Sequence, residues 1–160
     1  MPLMGDGGHA GLIDFLRTWP STFATPAAIV LVSAHWEEKK ATVATGQQPE
    51  LLYDYSGFPA ETYQYKYAAP GQPDLGARVK DLLEAAGIPS AVDPTRQWDH
   101  GVFVPLMLMY PEAQIPIVQV SLLASYNPAA HIAMGRALAP LRDENILVCS
   151  TCPLPLSGTF

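Results

Sequence analysis

At 160 residues, with 49% hydrophobic and 15% charged side chains, the chain is long enough to bury a core and too apolar to be disordered. A net charge of −6, with only nine Lys and Arg scattered along the sequence, excludes the clustered basic surface that nucleic acid requires. No apolar run approaches the roughly 20 residues of a membrane span, and no basic-then-apolar leader opens the sequence, so the expectation is a cytoplasmic protein.

Residues 1–8 are glycine-rich and read as a loop. In residues 11–19, Leu12, Phe15, Leu16 and Trp19 make a helical stripe that Pro20 closes. His9 precedes that helix as a solvated or capping residue. Residues 27–34 (AAIVLVSA) form a short, β-branched, uncharged run of the kind that fills a strand buried on both faces. The polarity then changes abruptly: Ser33, His35, Trp36, Glu37 and Glu38 stand where the strand should end. Ligands of open α/β sheets bind beyond the carboxyl ends of strands. A histidine there is well placed to hold a metal or move a proton; the plainer alternative is a lone His tucked under a loop.

Residues 41–45 read as a second short strand. Residues 47–73 are irregular and hold Tyr53, Tyr55, Phe58, Tyr63, Tyr65 and Tyr67 among glycines and prolines. A segment of that length with polar-tipped rings suits a pocket wall for a small aromatic ligand, or a cover over the edge of the sheet. Residues 73–87 are the clearest helix, with Leu75, Val79, Leu82 and Leu83 inward and Gly87 at its end. Residues 88–92 return as a strand. Asp99-His100-Gly101 then leads into a helix over residues 102–110, where Asp99 either orients His100 or caps the helix beside an exposed His. Residues 115–122 form another buried strand. A helix opened by Asn127 or Pro128 follows, with Ile132, Met134, Leu138 and Leu141 inward and His131 on the surface or in packing. Residues 146–149 begin a last strand. The recurring β-α-β order predicts an α/β fold, with helices on both faces of a largely parallel or mixed sheet. Cys149 and Cys152 are spaced like a redox pair, but Pro153 and Pro155 follow where such a motif usually opens a helix, so reduced thiols are the reading. Neither GxGxxG nor GxxxxGK[ST] occurs, which leaves nucleotide-loop readings without support.

Four stretches taken together resemble one family: VLVSAHWEE at residues 30–38, YDYSGFPAETYQYKYAAPGQPDLGARV at 53–79, WDHGVFVPLMLMYPEAQIPIVQVSL at 98–122 and HIAMGRALAPLRDENILV at 131–148. They look like the class III extradiol ring-cleavage dioxygenases of the LigB superfamily, in the DOPA-dioxygenase-like branch. The resemblance implies an enzyme that opens a catechol ring beside its hydroxyls with molecular oxygen. It implies one divalent metal, Fe(II) or Zn(II), held by histidines at one end of the sheet. It makes His35 a metal ligand and His100 the residue that binds substrate or shuttles a proton; in that reading Asp99, from its place beside His100, is its possible orienter. It also brings residues 57–63 close to the site, with Phe58 and Tyr63 as substrate contacts. The partners it implies are the catechol and O2, with no nucleic acid and no membrane, and it leaves room for a homo-oligomer.

The sequence also departs from the family. The His-Gly motif that supplies a first metal ligand does not match MPLMGDGGH, and CSTCPLPLSGTF lacks the histidine-bearing segment expected after ILV. Residues 1–148 therefore read as a partial dioxygenase domain and 149–160 as a divergent tail, with weak or no activity expected of the chain alone. Two rival readings stand beside this one. The first is a non-catalytic fragment that binds a partner subunit through an exposed sheet edge. The second is a zinc hydrolase built on His35 and Glu37, which lacks an HExxH motif.

Overall fold

Strand β1 (Ala28–Glu38) is the element on which the rest is built, and its alternation explains why. Ile29 and Leu31 point into one apolar core with Trp98, Val102, Phe103, Leu106 and Ile117. Ala28 and Val30 point into a second core with Val43, Leu75, Val79, Leu83, Val118 and Met134. A strand buried on both faces carries no polar alternation, as the sequence indicates. The structure, a computed structural model, describes residues 2–5 and 7–151.

Four more strands complete the sheet: β2 (Ala41–Ala44), β3 (Ser90–Asp93), β4 (Ile117–Leu123) and β5 (Ile146–Ser150), in the order β3-β2-β4-β1-β5. β1 lies parallel to both β4 and β5, and β2 is parallel to β3 but antiparallel to β4, so the sheet is mixed. Helices α1 (Ala10–Thr18) and α3 (His100–Met109) pack together, α3 against β1. Helices α2 (Pro73–Ala85) and α4 (Pro128–Ala137) pack together over β2 and β4. Helix α3 is apolar all round because it is enclosed all round. Among the described residues no helix is long and apolar enough to cross a membrane.

Two inward assignments need correction. Ile132 is 56% exposed, whereas Met134, Leu138 and Leu141 are buried. The spacing 134, 138, 141 is one helical face, and a residue two positions before Met134 lies on another. In α1 the buried residue is Ile13, and Phe15 is 53% exposed, stacked on Trp19 at 5.9 Å. His131 proves to be a tie between elements: its Nε2 accepts the Leu123 amide at 3.0 Å and its Nδ1 lies 2.9 Å from the Asn127 carbonyl.

Residues 47–73 are held at both ends by backbone. Leu51 bridges Trp98, and Gly71 bridges Ile117 and donates to the Gln47 carbonyl at 2.9 Å. A Cβ on Gly71 would meet the Gly46 carbonyl oxygen at 1.9 Å, a backbone atom that cannot swing aside. Gly71→Ala is therefore expected to destabilise the fold by about 1–3 kcal/mol, read as a lower urea midpoint.

Candidate metal and substrate site

The site lies at the carboxyl end of β1, and a break in pairing creates it. Ser33 still pairs with Ser121, but the next partner, Leu122, stands opposite Glu37. Ala34, His35 and Trp36 are the surplus residues of that bulge. Such an insertion bends a strand and re-aims a side chain, and here the side chain is His35. Its ring meets the ring of His100, with centroids 4.0 Å apart and planes at 42°. His100 is the first residue of α3, so the helix starts two residues earlier than its apolar pattern suggests.

The third member is Asp54, from the irregular segment. Its Oδ1 accepts both the backbone amide of His100 at 3.0 Å and a contact from its Nδ1 at 2.8 Å. A carboxylate only accepts, so this pairing assigns a proton to Nδ1. Desolvation pushes the Asp54 carboxyl up, but the imidazole and amide of His100 outweigh it and hold the group below its ordinary value. Burial, and then the neighbouring His100, lower the pKa of His35, against the opposing pull of Asp99 and Asp54. A neutral imidazole with a free lone pair is the form that a metal takes.

One donor atom from each of His35, Asp54 and His100 lies within 4.8 Å of the others. Two imidazoles and a carboxylate suit Fe(II) or Zn(II), and this donor set leaves open positions for a substrate. The residues present thus fit the metal that the family implies. Glu37 is not part of this cluster among the described residues, so the cluster gives the hydrolase reading no support.

Asp99 departs from the expectation. It does not orient His100; Asp54 does. Asp99 is fully buried, and its carboxylate takes Ser33 Oγ at 2.8 Å, Arg96 Nη2 at 2.9 Å and the side-chain amide of Gln119. It stands at the N-cap position of α3, yet its side chain caps no amide.

The aromatic segment closes one side. Tyr55 meets the His100 ring edge-on at 5.9 Å, and around it stand Tyr63 at 5.2 Å, Phe58 at 5.5 Å and Phe103 at 6.4 Å. Phe58 and Tyr63 therefore stand behind Tyr55. The polar tips are already engaged: the Tyr53 hydroxyl donates to the Tyr65 carbonyl at 2.7 Å, Tyr55 to Thr62 at 2.6 Å and Tyr63 to Tyr55 at 3.3 Å. These bonds staple the segment to itself and hold Asp54, which sits between two of the tyrosines, against His100. Two clefts, of about 500 Å³ beside Leu3, Ile13 and Met107 and about 310 Å³ beside Gln47, Pro94 and Arg96, contain none of the three site residues.

Sequence reading missed Asp54 and the role of Tyr55. The available signal was a lone carboxylate between two tyrosines in a segment too long for a plain connection. Burial pushes the Cys149 thiol up to about 12, which keeps it protonated. Iodoacetamide at pH 8 is expected to leave Cys149 unmodified in the folded chain and to label it in urea, read by peptide mass spectrometry. Cys152 and the rest of residues 152–160 lie outside the described residues.

Comparison with known proteins agrees with this geometry. Residues 7–154 match the family described as "Catalytic LigB subunit of aromatic ring-opening dioxygenase". The chain is 47% identical to a protein named dioxygenase tasH from Hapsidospora irregularis, over 92% of this chain and 48% of the relative. It is 45% identical to a 4,5-DOPA dioxygenase extradiol from Beta vulgaris, over 99% of this chain and 61% of the relative. The crystal structure of an uncharacterized protein from Escherichia coli K12 superposes with a TM-score of 0.70 at 38% identity, covering 86% of this chain and 51% of that one. The chain thus spans about half to three-fifths of the length of these relatives. On the family match and these identities, the chain belongs to the LigB family of class III extradiol, aromatic ring-opening dioxygenases.

Proposed function

We propose that the chain carries part of the catalytic site of a metal-dependent extradiol dioxygenase, which opens a catechol ring with O2. The observation that carries this reading is the convergence of His35 and His100, with Asp54 behind His100, on the carboxyl rim of the sheet. His35 would hold the ion, with His100 and Asp54 in reach of it. When bound, Fe(II) or Zn(II) supplies a positive charge that lowers the pKa of a catechol hydroxyl and holds the substrate in place.

The chain's own residues supply the rest. His100 is placed to accept a hydroxyl proton, and Asp54 against its Nδ1 would stabilise the imidazolium that results. Tyr55 gives the aromatic ring a wall to lie against, and Phe58 and Tyr63 set the position of that wall.

The test loads the chain with Fe(II), adds catechol and records its absorption without and with oxygen. A saturable spectral shift, lost in His35→Ala and His100→Ala, is the expected result; a metal-loaded chain that leaves the catechol spectrum unchanged contradicts the proposal. A second reading keeps one observation in its favour. β5 pairs on one side only among the described residues, so a partner chain could add a strand there. A mass increase by light scattering on mixing with a full-length relative would support it.

A further inference from the structure

We propose that Asp99 is a positioning residue that fixes His35 from both of its flanks, through Ser33 on one side and through Arg96 and Trp36 on the other. This rests on the reading of His35 as a metal ligand. Asp99, Ser33 and Gln119 are all fully buried. Taking a carboxylate out of water costs several kcal/mol unless it is paired and hydrogen-bonded. A helix cap would not need that burial, and Asp99 does not use its side chain as one.

What the carboxylate holds is the bulge. Ser33 Oγ lies 2.8 and 2.9 Å from the two Asp99 oxygens, to which it donates, and it accepts the backbone N–H of His35 at 3.2 Å. Asp99 thus sets the Ser33 rotamer, and Ser33 sets the peptide that carries His35. On the other flank the Arg96 guanidinium pairs with Asp99 at 2.9 Å and lies 4.7 Å from the centre of the Trp36 ring. Trp36 follows His35 directly and Ser33 stands two residues before it, so the chain on each side of the ligand reaches one buried anion. The Gln119 side-chain amide, from the adjacent strand, completes that anion's set of donors and accounts for a fully buried glutamine in the sheet.

Gly101 shows how closely the socket fits. A Cβ there would lie 2.6 Å from His35 Cδ2, 3.0 Å from Asp99 Oδ1 and 3.2 Å from Ser33 Oγ. The imidazole therefore rests on bare backbone at the start of α3, with the Ser33–Asp99 pair beside it. One side of the ring is thus fixed by backbone at Gly101, while the rest of His35 stays open to solvent.

The test compares the wild-type chain with Ser33→Ala, Asp99→Asn and the double variant. Two readouts are taken: zinc affinity by competition with a chelating dye, and the imidazole nitrogen shifts of the metal-free chain by NMR. Circular dichroism confirms folding in each case. Each single variant is expected to bind zinc roughly 10- to 100-fold more weakly. The His35 signals should move while those of His131 stay in place. Because Ser33 acts only by carrying the hold of Asp99 to the His35 peptide, the double variant should be no weaker than Asp99→Asn alone. A folded variant with lowered stability but unchanged zinc affinity and unchanged His35 shifts would show a merely structural role and overturn the proposal, as would losses that multiply in the double. Ser33→Ala leaves the Arg96–Asp99 pair intact, so it decides the matter if Asp99→Asn does not fold. A wild-type chain that binds no zinc would overturn the metal reading instead, and the His35 shifts would still decide the positioning role.

Discussion

Replacing His35 by alanine is expected to lower zinc affinity by more than about 100-fold while leaving the metal-free fold nearly as stable as before. Losing a residue that only supports a ligand costs 10- to 100-fold, and losing the ligand itself costs more. His35 belongs to neither apolar core, because the bulge has lifted it off the sheet. Its removal should therefore change the unfolding free energy by no more than about 0.5 kcal/mol. The split between the two measurements is the point: affinity collapses and the urea midpoint stays. His131→Ala should show the reverse, with unchanged zinc binding and a loss of about 1 kcal/mol from the orphaned Leu123 amide.

The second large effect is on stability. Phe103 is fully buried on α3, and its ring meets those of Tyr53 at 6.0 Å and Tyr55 at 6.4 Å. It therefore joins the core under β1 to the stapled aromatic segment. Phe103→Ala is expected to cost about 3–5 kcal/mol, from lost transfer energy and the cavity left behind. Against a total of about 5–15 kcal/mol for a domain, that removes a large share of the stability. Urea unfolding should show a lower midpoint, with a smaller loss for Phe103→Leu, which keeps most of the volume. An alanine variant as stable as the wild type would mean that the segment and helix are not packed as described.

Much of the fold was legible because its elements obey simple periods. The first half of β1 (residues 28–32) and the aliphatic positions of β4 mark buried strands, and α2 carries one stripe between Pro73 and the positive-φ Gly87. The errors have equally local causes. Ile132, read as inward alongside Met134, Leu138 and Leu141, lies off their face because its spacing from Met134 is not helical. The antiparallel pairing of β2 with β4 has no signature in either short strand.

The site was half legible. His35 could be placed at a strand end and His100 at a helix start, but the bulge that turns His35 outward leaves no mark in the string of residues. Asp99 was assigned to its sequence neighbour His100, yet consecutive residues at a helix start point in different directions. The carboxylate that does reach His100 comes from 46 residues away, and only the fold brings Asp54 there.

The central claim is that His35 holds the ion and His100 faces that ion across the same site. The most direct measurement titrates Zn(II) into the chain while following all four imidazoles by nitrogen-detected NMR. Saturation at one equivalent, with His35 and His100 shifting together and His9 and His131 unmoved, is the predicted result. Saturable shifts on His9 or His131 alone, or no saturable binding at all, would contradict it.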